Sequence, residues 1–327
     1  MRMNVFARAG LAAGLVALAT GTTVAGAAEV RVIASNPQGS VFYSASVTVG
    51  KILNEKLNMQ VRVQPMGGSS TYIPLLNRGE VDFGLTNVDD SVKAYKGAGH
   101  FKRANPNMRL MVALFPLTLG IIVPADSPIQ KVADLKGKRM PSGYRSQVTG
   151  VVLQNAVLWN GGLTMKDIRP VPAPSLFAGV DLLAEGKVDA ATISIGTAQG
   201  QRAHAELSSR GGIRFLNLDG SPNGVAAIRK YLPARSATVQ PAKNRIGIVG
   251  PTTIMTYTIF LTTNDKMPED VVYNLVRTLS VSKAEMVKGT PALAGFDPSR
   301  MAEEIGVPWH PGAIRFYKEK AQWPPRD

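Results

Sequence analysis

Apolar and polar positions alternate over VRVIAS (30–35) and again over MQVRVQP (59–65), the period-two pattern of a strand. Between them the period lengthens. Apolar residues at 42, 45, 49, 52 and 53 recur at helical spacing, which predicts a helix. GGSSTYIPLLNRGE predicts a short helix ended by Gly79, and VDFGLTN (81–87) a third strand. From residue 30 to residue 87 the chain therefore reads β-α-β-α-β.

The pattern recurs. DLKGKRMPSG (134–143) leads into a helix over 146–160, DIRPVPAP (167–174) reads as a strand, SLFAGVDLLAEG (175–186) as a helix and VDAATIS (188–194) as a strand. LLNRGEVD (75–82) matches LLAEGKVD (182–189) at an offset of 107, and that offset also superposes VRVQP on IRPVP and the two long helices on each other. Two similar lobes are expected, and alternating strands and helices imply parallel-rich sheets, an α/β class. MRLMVALFPLTLGIIVP (108–124) reads as an extended crossing between them, and GPTTIMTYTIFLTTND (250–265) as a return crossing. An amphipathic helix over PEDVVYNLVRTLSVSKAEMV follows. Residues 29–116 with about 245–327 are expected to form lobe 1 and residues 117–244 lobe 2, joined by hinge strands around a central cleft.

In open parallel sheets ligands bind beyond the carboxyl ends of the strands, where helix N-termini offer unpaired N–H groups and partial positive charge. Ser35, Asn36, Gly39 and Ser40 lie at one such mouth, with Phe42 or Tyr43 one turn in as a wall. Gly67, Gly68 and Ser69 form the second mouth, and Thr86 and Asn87 end the third strand. In the second half, Arg145, Ser146 and Gln147 form the matching mouth, and Gly196 and Thr197 follow a strand end. Taken singly, a Ser or Thr before a helix is usually a cap, so the functional reading rests on all of them sharing one edge. Arg145 is the one cation expected there, suited to a bidentate carboxylate contact.

Composition narrows the classes. Residues 1–28 carry Arg2 and Arg8, then a short apolar run and small residues around Ala25–Ala28, the three-part pattern of a secretory signal peptide cut near residues 27–29. Gly and Thr within that run disfavour an uncleaved anchor. Export to the periplasm as a monomer is the expectation. The net charge is +14, and loss of the leader leaves 35 basic against 23 acidic residues, +12. The basic residues are scattered without a nucleic-acid motif, so the charge reads as surface plus attraction for a small anion. With no cysteine, a thiol nucleophile, a disulfide and a Cys metal site are excluded.

Enzyme chemistry finds little support. His100, His204 and His310 lie in unrelated segments and read as surface or loop histidines; no pair has metal-ligand spacing. No metal or cofactor is expected. Asp82 and Asp189 sit at strand starts, opposite the expected cleft, where they are expected to bond a preceding turn.

Together, SNPQGSVFYS, GGSSTYIPLLNRGEVDFGLTN, DLKGKRMPSGYRSQVTG and LLAEGKVDAATISIGTAQG resemble, in order and spacing, the segments of the TAXI family of TRAP-transporter solute receptors. The resemblance spans nearly the whole chain after the leader. It implies a two-lobe periplasmic-binding-protein fold (type II-like) and a receptor that captures a small organic anion, a carboxylate or amino acid, for the subunits of a TRAP-type membrane permease. Two departures fall on the ligand loops: Ser44 stands where the family has proline after paired aromatics, of which Phe42 is the first here, and YRSQVT replaces a glycine-rich loop. Three alternatives stay open: a receptor for an ATP-driven (ABC) transporter or for a membrane sensor, a periplasmic enzyme on the same fold, and a surface protein for a macromolecular partner.

Overall fold

A computed structural model describes Met1 and residues 30–145 and 148–325 of the chain. The leader expected at residues 1–28 falls, apart from Met1, outside the described residues.

The first lobe opens with β1 (Arg31–Ser35), α1 (Val41–Leu57), β2 (Val61–Pro65), α2 (Ser69–Arg78), β3 (Phe83–Asn87) and α3 (Val88–Lys96). Local chemistry sets these boundaries. The Ser40 hydroxyl caps α1 by accepting from the Tyr43 N–H, and α2 stops at Gly79, whose φ of 80° suits glycine. Asn87 caps α3, a helix absent from the sequence reading, by accepting from the Asp90 N–H. β1 pairs in parallel with both β2 and β3, so every strand of this trio points its carboxyl end toward one edge.

β4 (Met108–Pro124) then leaves the lobe as one long strand. The second lobe holds β5 (Arg139–Gly143), α4 (Thr149–Asn160), β6 (Arg169–Ala173), α5 (Leu176–Ala184), β7 (Ala191–Ser194) and α6 (Ala198–Glu206). It continues with β8 (Ile213–Phe215), α7 (Pro222–Arg229) and β9 (Arg235–Val239). β10 (Thr252–Asn264) returns, and α8 (Glu269–Ser280), α9 (Lys283–Gly289) and α10 (Pro311–Glu319) close the chain.

β4 and β10 pair antiparallel as the spine of the molecule. One end of β10, Ile259–Thr262, pairs with β3 in the first lobe, and the other, Thr252–Thr256, pairs with β9 in the second. The far end of β4 carries β7 and β8. β5 and β6 form a separate parallel pair. Two long strands thus link two α/β lobes, and their burial is nearly continuous because helices cover both faces.

The 107-residue offset survives in three dimensions. Shifted by it, β1, α1, β2, α2 and β3 each start one residue before or level with β5, α4, β6, α5 and β7. Asp82 and Asp189 occupy equivalent places at strand starts, as expected, but bond a neighbouring strand rather than a preceding turn. Each carboxylate braces the start of a neighbouring strand: Asp82 accepts from the Val32 N–H at 2.8 Å and pairs with Arg31, and Asp189 accepts from the Arg139 N–H at 2.8 Å and pairs with its guanidinium.

The helix expected after β10 is broken into α8 and α9. Ser280 and Ser282 donate back to the carbonyls of Arg277 and Thr278, both at 2.7 Å, and so compete with the helical ladder where Val281 is exposed. Of the histidines, His100 and His310 lie between elements, as a loop reading has it, while His204 lies on α6. His310 is 1% exposed and caps α10, with Nδ1 accepting from the Gly312 N–H; His204 accepts from the Ile213 N–H; His100 is half-buried.

Candidate functional site

The lobes meet directly. The Ala198 N–H, at the start of α6, donates to the Gly39 carbonyl at 3.3 Å, and the Thr149 hydroxyl, at the start of α4, reaches the Asp90 carboxylate at 2.9 Å from either oxygen. Between these contacts lies a pocket with a cavity volume of about 50 Å3. Its floor is the spine, through Leu117, Leu119 and Tyr257. The first lobe contributes Asn36, Ser40, Val41, Phe42, Gly68, Ser69, Ser70 and Asn87, and the second Thr149, Leu153, Leu176, Phe177, Ile193, Ser194 and Thr197.

Seven of the sequence candidates therefore share this cleft: Asn36, Ser40, Phe42, Gly68, Ser69, Asn87 and Thr197. Phe42 rather than Tyr43 forms the wall, and Tyr43 is half-buried outside it. Gly39, at φ 85°, bends the chain into α1 and gives its carbonyl to the other lobe. Gly196 opens instead on an adjacent wider hollow of about 370 Å3 that shares Val41 and Leu117. Gly67 is half-buried and outside the lining. Ser35 and Thr86 are fully buried behind it: Ser46 donates to Ser35 at 3.0 Å, and Thr86 bonds Ser91 at 2.8 Å. Ser146 and Gln147 lie outside the described residues.

Arg145 is exposed and does not line the cleft, contrary to its expected place. The reason is its neighbour. Tyr144 adopts φ 35° and turns its ring inward, 1% exposed, with its hydroxyl bonded to the Pro141 carbonyl and to Gln154. Once the tyrosine takes the interior, the arginine is left on the outside.

What the sequence reading missed is an acid. Asp90, three residues past the last candidate, is fully buried beside the cleft wall. Ser69 and Asn87, both lining residues, donate to its Oδ2, the latter at 3.0 Å. Its neighbour Asp89 pairs with Lys93 at 2.8 Å, yet burial outweighs that partner and pushes the Asp89 carboxyl up to about 6. Tyr257 is 5% exposed, and burial, then the charges of Asp90 and Asp89, raise its hydroxyl far above the ordinary range, so it stays a protonated donor. Tyr72 is raised well above its ordinary value by burial and by Asp90; its hydroxyl donates to the Leu85 carbonyl. A signal for Asp90 existed: Asn87 followed by two acids is a helix start with a negative first turn.

The arrangement can enclose a small solute. The second lobe supplies an apolar wall and the first a rim of amide and hydroxyl groups, the usual composition of a small-molecule pocket. Among the described residues no Lys, Arg or His lines it.

The fold has clear counterparts. A periplasmic aliphatic sulphonate binding protein, SsuA from Escherichia coli, matches with a TM-score of 0.50 and 18% identity, over 90% of this chain and 91% of its own. A periplasmic transporter protein matches at 0.57 and 14%, over 90% and 93%. The amino acid ABC transporter substrate-binding protein AbpA from Streptococcus pneumoniae, bound to L-arginine, matches at 0.51 and 13%, over 81% and 95%. These likenesses show a two-lobe periplasmic-binding-protein fold. The family described as NMT1-like matches residues 33–321, and the chain belongs to that family.

Proposed function

We propose that this protein is an exported solute-binding receptor that closes on a small molecule and hands it to a membrane importer of the ATP-driven class. The observation that carries the reading is the closed cleft, built from helix starts of both lobes and crossed by the Gly39–Ala198 and Asp90–Thr149 contacts. No covalent step is needed: a solute that bonds both lobes favours the closed state by its differential affinity. The strands cross between the lobes near residue 116 of β4 and between Thr256 and Ile259 of β10, so that closure is a bend of these two strands. The ATP-driven class is favoured because AbpA, of like fold, serves an ABC transporter. A TRAP-type permease is the second reading, supported by the order of the Gly/Ser-rich turns and LLxxGxVD junctions. Among the described residues no helix is long and apolar enough to cross a membrane.

The ligand class changes with the geometry. A carboxylate ligand was expected on the strength of Arg145, and Arg145 stands outside the cleft. An apolar body with a few hydrogen-bonding groups suits these walls better. Thermal unfolding against a panel of amines, amino acids, carboxylates, sulfonates and neutral controls tests the reading. One class should raise the midpoint, by about 2.7 kcal/mol of stability at a hundredfold excess over Kd. A flat response across the panel contradicts it. Reconstitution with the permease of each type separates the two transporter classes.

A further inference from the structure

We propose that Asp90 makes this cleft selective for a solute carrying a protonated amine. The proposal deepens the receptor reading above and rests on it.

The carboxylate of Asp90 is fully buried, and its hydrogen-bond donors among the described residues are all neutral: Ser69, Asn87 and Thr149. The one basic side chain in contact with it among the described residues is the His100 ring, with Nε2 3.5 Å from Oδ1 and no hydrogen bond formed. Burial holds that ring below its ordinary range; Asp90 pulls it up and Lys93 pushes it down. A buried carboxylate without a counter-charge is costly. Part of the cost is met by its position in the first turn of α3, where the helix dipole favours an anion. A charged ligand group can meet more of it.

The donors are unequally placed. Oδ2 accepts from Ser69 and Asn87, both in the first lobe, as well as from Thr149. Oδ1 accepts only from Thr149 among the described residues, and Thr149 belongs to the other lobe. When the lobes part, Thr149 leaves with α4. Oδ1 then loses its donor and its cover together, beside the wall formed by Ser69 and Asn87. A carboxylate oxygen has room for two donors, so the open receptor presents an acceptor to whatever enters. An ammonium group fits it in charge and in hydrogen bonding.

A second observation points into the same cavity. The Tyr257 hydroxyl lines it, is nearly buried, and has no hydrogen-bond partner among the described residues. It is near enough to feel the charges of both Asp90 and Asp89. It offers a lone pair to an N–H of the same head group. The rest of the solute would lie along Phe42, Leu153, Leu176 and Phe177. The low-dielectric wall strengthens a charge pair formed there and leaves an entering carboxylate facing Asp90 without a cation.

The test is isothermal titration of the whole mature protein with matched trios: phenethylamine, phenethyl alcohol and phenylacetate; hexylamine, hexanol and hexanoate. In the wild type an amine should bind at least about tenfold more tightly than its alcohol, about 1.4 kcal/mol, with the acid weakest. Asp90→Asn should erase the preference for the amine over the alcohol, and Asp89→Asn should keep it. The wild-type comparison stands even where Asp90→Asn fails to fold. An amine preference that persists in Asp90→Asn overturns the proposal. So does an acid or alcohol that binds as tightly as its amine; in that case the receptor reading survives. If no trio and no solute of the wider panel binds, the receptor reading falls and the proposal with it.

Discussion

The two lobes repeat one β-α-β-α-β scaffold, 107 residues apart, yet they face the cleft with different balances of polar and apolar groups. In the first lobe, helices α1 and α3 start on side-chain caps, Ser40 and Asn87, while α2 has none, and the cleft wall is mostly amide and hydroxyl around Val41 and Phe42, with two acids behind it. In the second, α5 and α6 start on the caps Ser175 and Thr197 while α4 has none, and the wall adds Leu153, Leu176, Phe177 and Ile193 to Thr149, Ser194 and Thr197. The positions of strands and helices recur between the lobes; the loops and first helical turns are where they differ. Asp82 and Asp189 sit on the shared part and keep the same brace. Asp90 and Phe177 sit on the divergent part and differ. A site between two such halves can hold a solute by both ends, one polar and one apolar.

The comparison can be broken most directly at its aromatic walls. Phe42 is 5% exposed and packs in the core as well as lining the cleft. Phe42→Ala should cost about 3–5 kcal/mol of unfolding free energy in a denaturant titration. Phe177 is half-buried at the corresponding wall of the second lobe. Phe177→Ala should cost clearly less stability while weakening solute binding, seen as a smaller ligand-induced midpoint shift. Equal stability losses would mean that both rings are core and neither is chiefly a wall.

The shared braces come next. Asp82→Ala leaves the Val32 N–H without its acceptor and removes an ion-pair partner of Arg31, and should cost about 1–3 kcal/mol. Asp189→Ala should cost less, because Arg139 is 45% exposed and water can replace the lost partner. The same denaturant titration reads both, and a larger loss at Asp189 would contradict the account.

The smallest effect is a pH slope. The Asp89 carboxyl is raised to about 6 by burial, so the folded chain holds its proton more tightly than the unfolded chain, whose value is near 3.8. Its contribution to stability is greatest below about pH 4 and is lost as pH rises to about 6. Asp89→Asn should remove that falling component when Tm is followed across the window. An unchanged pH profile would show that Asp89 is ionised as easily folded as unfolded.

Much of this was legible in the sequence because it rests on periodicity. β4 and β10 read as uninterrupted apolar runs, and the caps Ser40 and Gly79 read as helix punctuation. Seven cleft residues followed from one rule, that strand-to-helix loops share an edge. The misses have physical causes. Arg145 was placed by its loop and its charge, but the backbone turn at Tyr144 decides which side chain goes in. Asp90 lay one helical turn beyond the expected end of the motif because α3 follows β3 without a loop. Leu153, Phe177 and Tyr257 look like ordinary core residues in sequence and become cleft walls only when the lobes face each other.

The central claim is that the two lobes close on a solute. The chain has no cysteine, so cysteines introduced at exposed Gln64 on β2 and Pro172 on β6 would carry a donor and an acceptor dye, one in each lobe. The measurement is single-molecule energy transfer with and without the solute that raises the melting midpoint. The account predicts at least two populations without solute and a shift to the high-transfer, closed one as it is added. A solute that stabilises the protein while leaving the transfer distribution unchanged would contradict it.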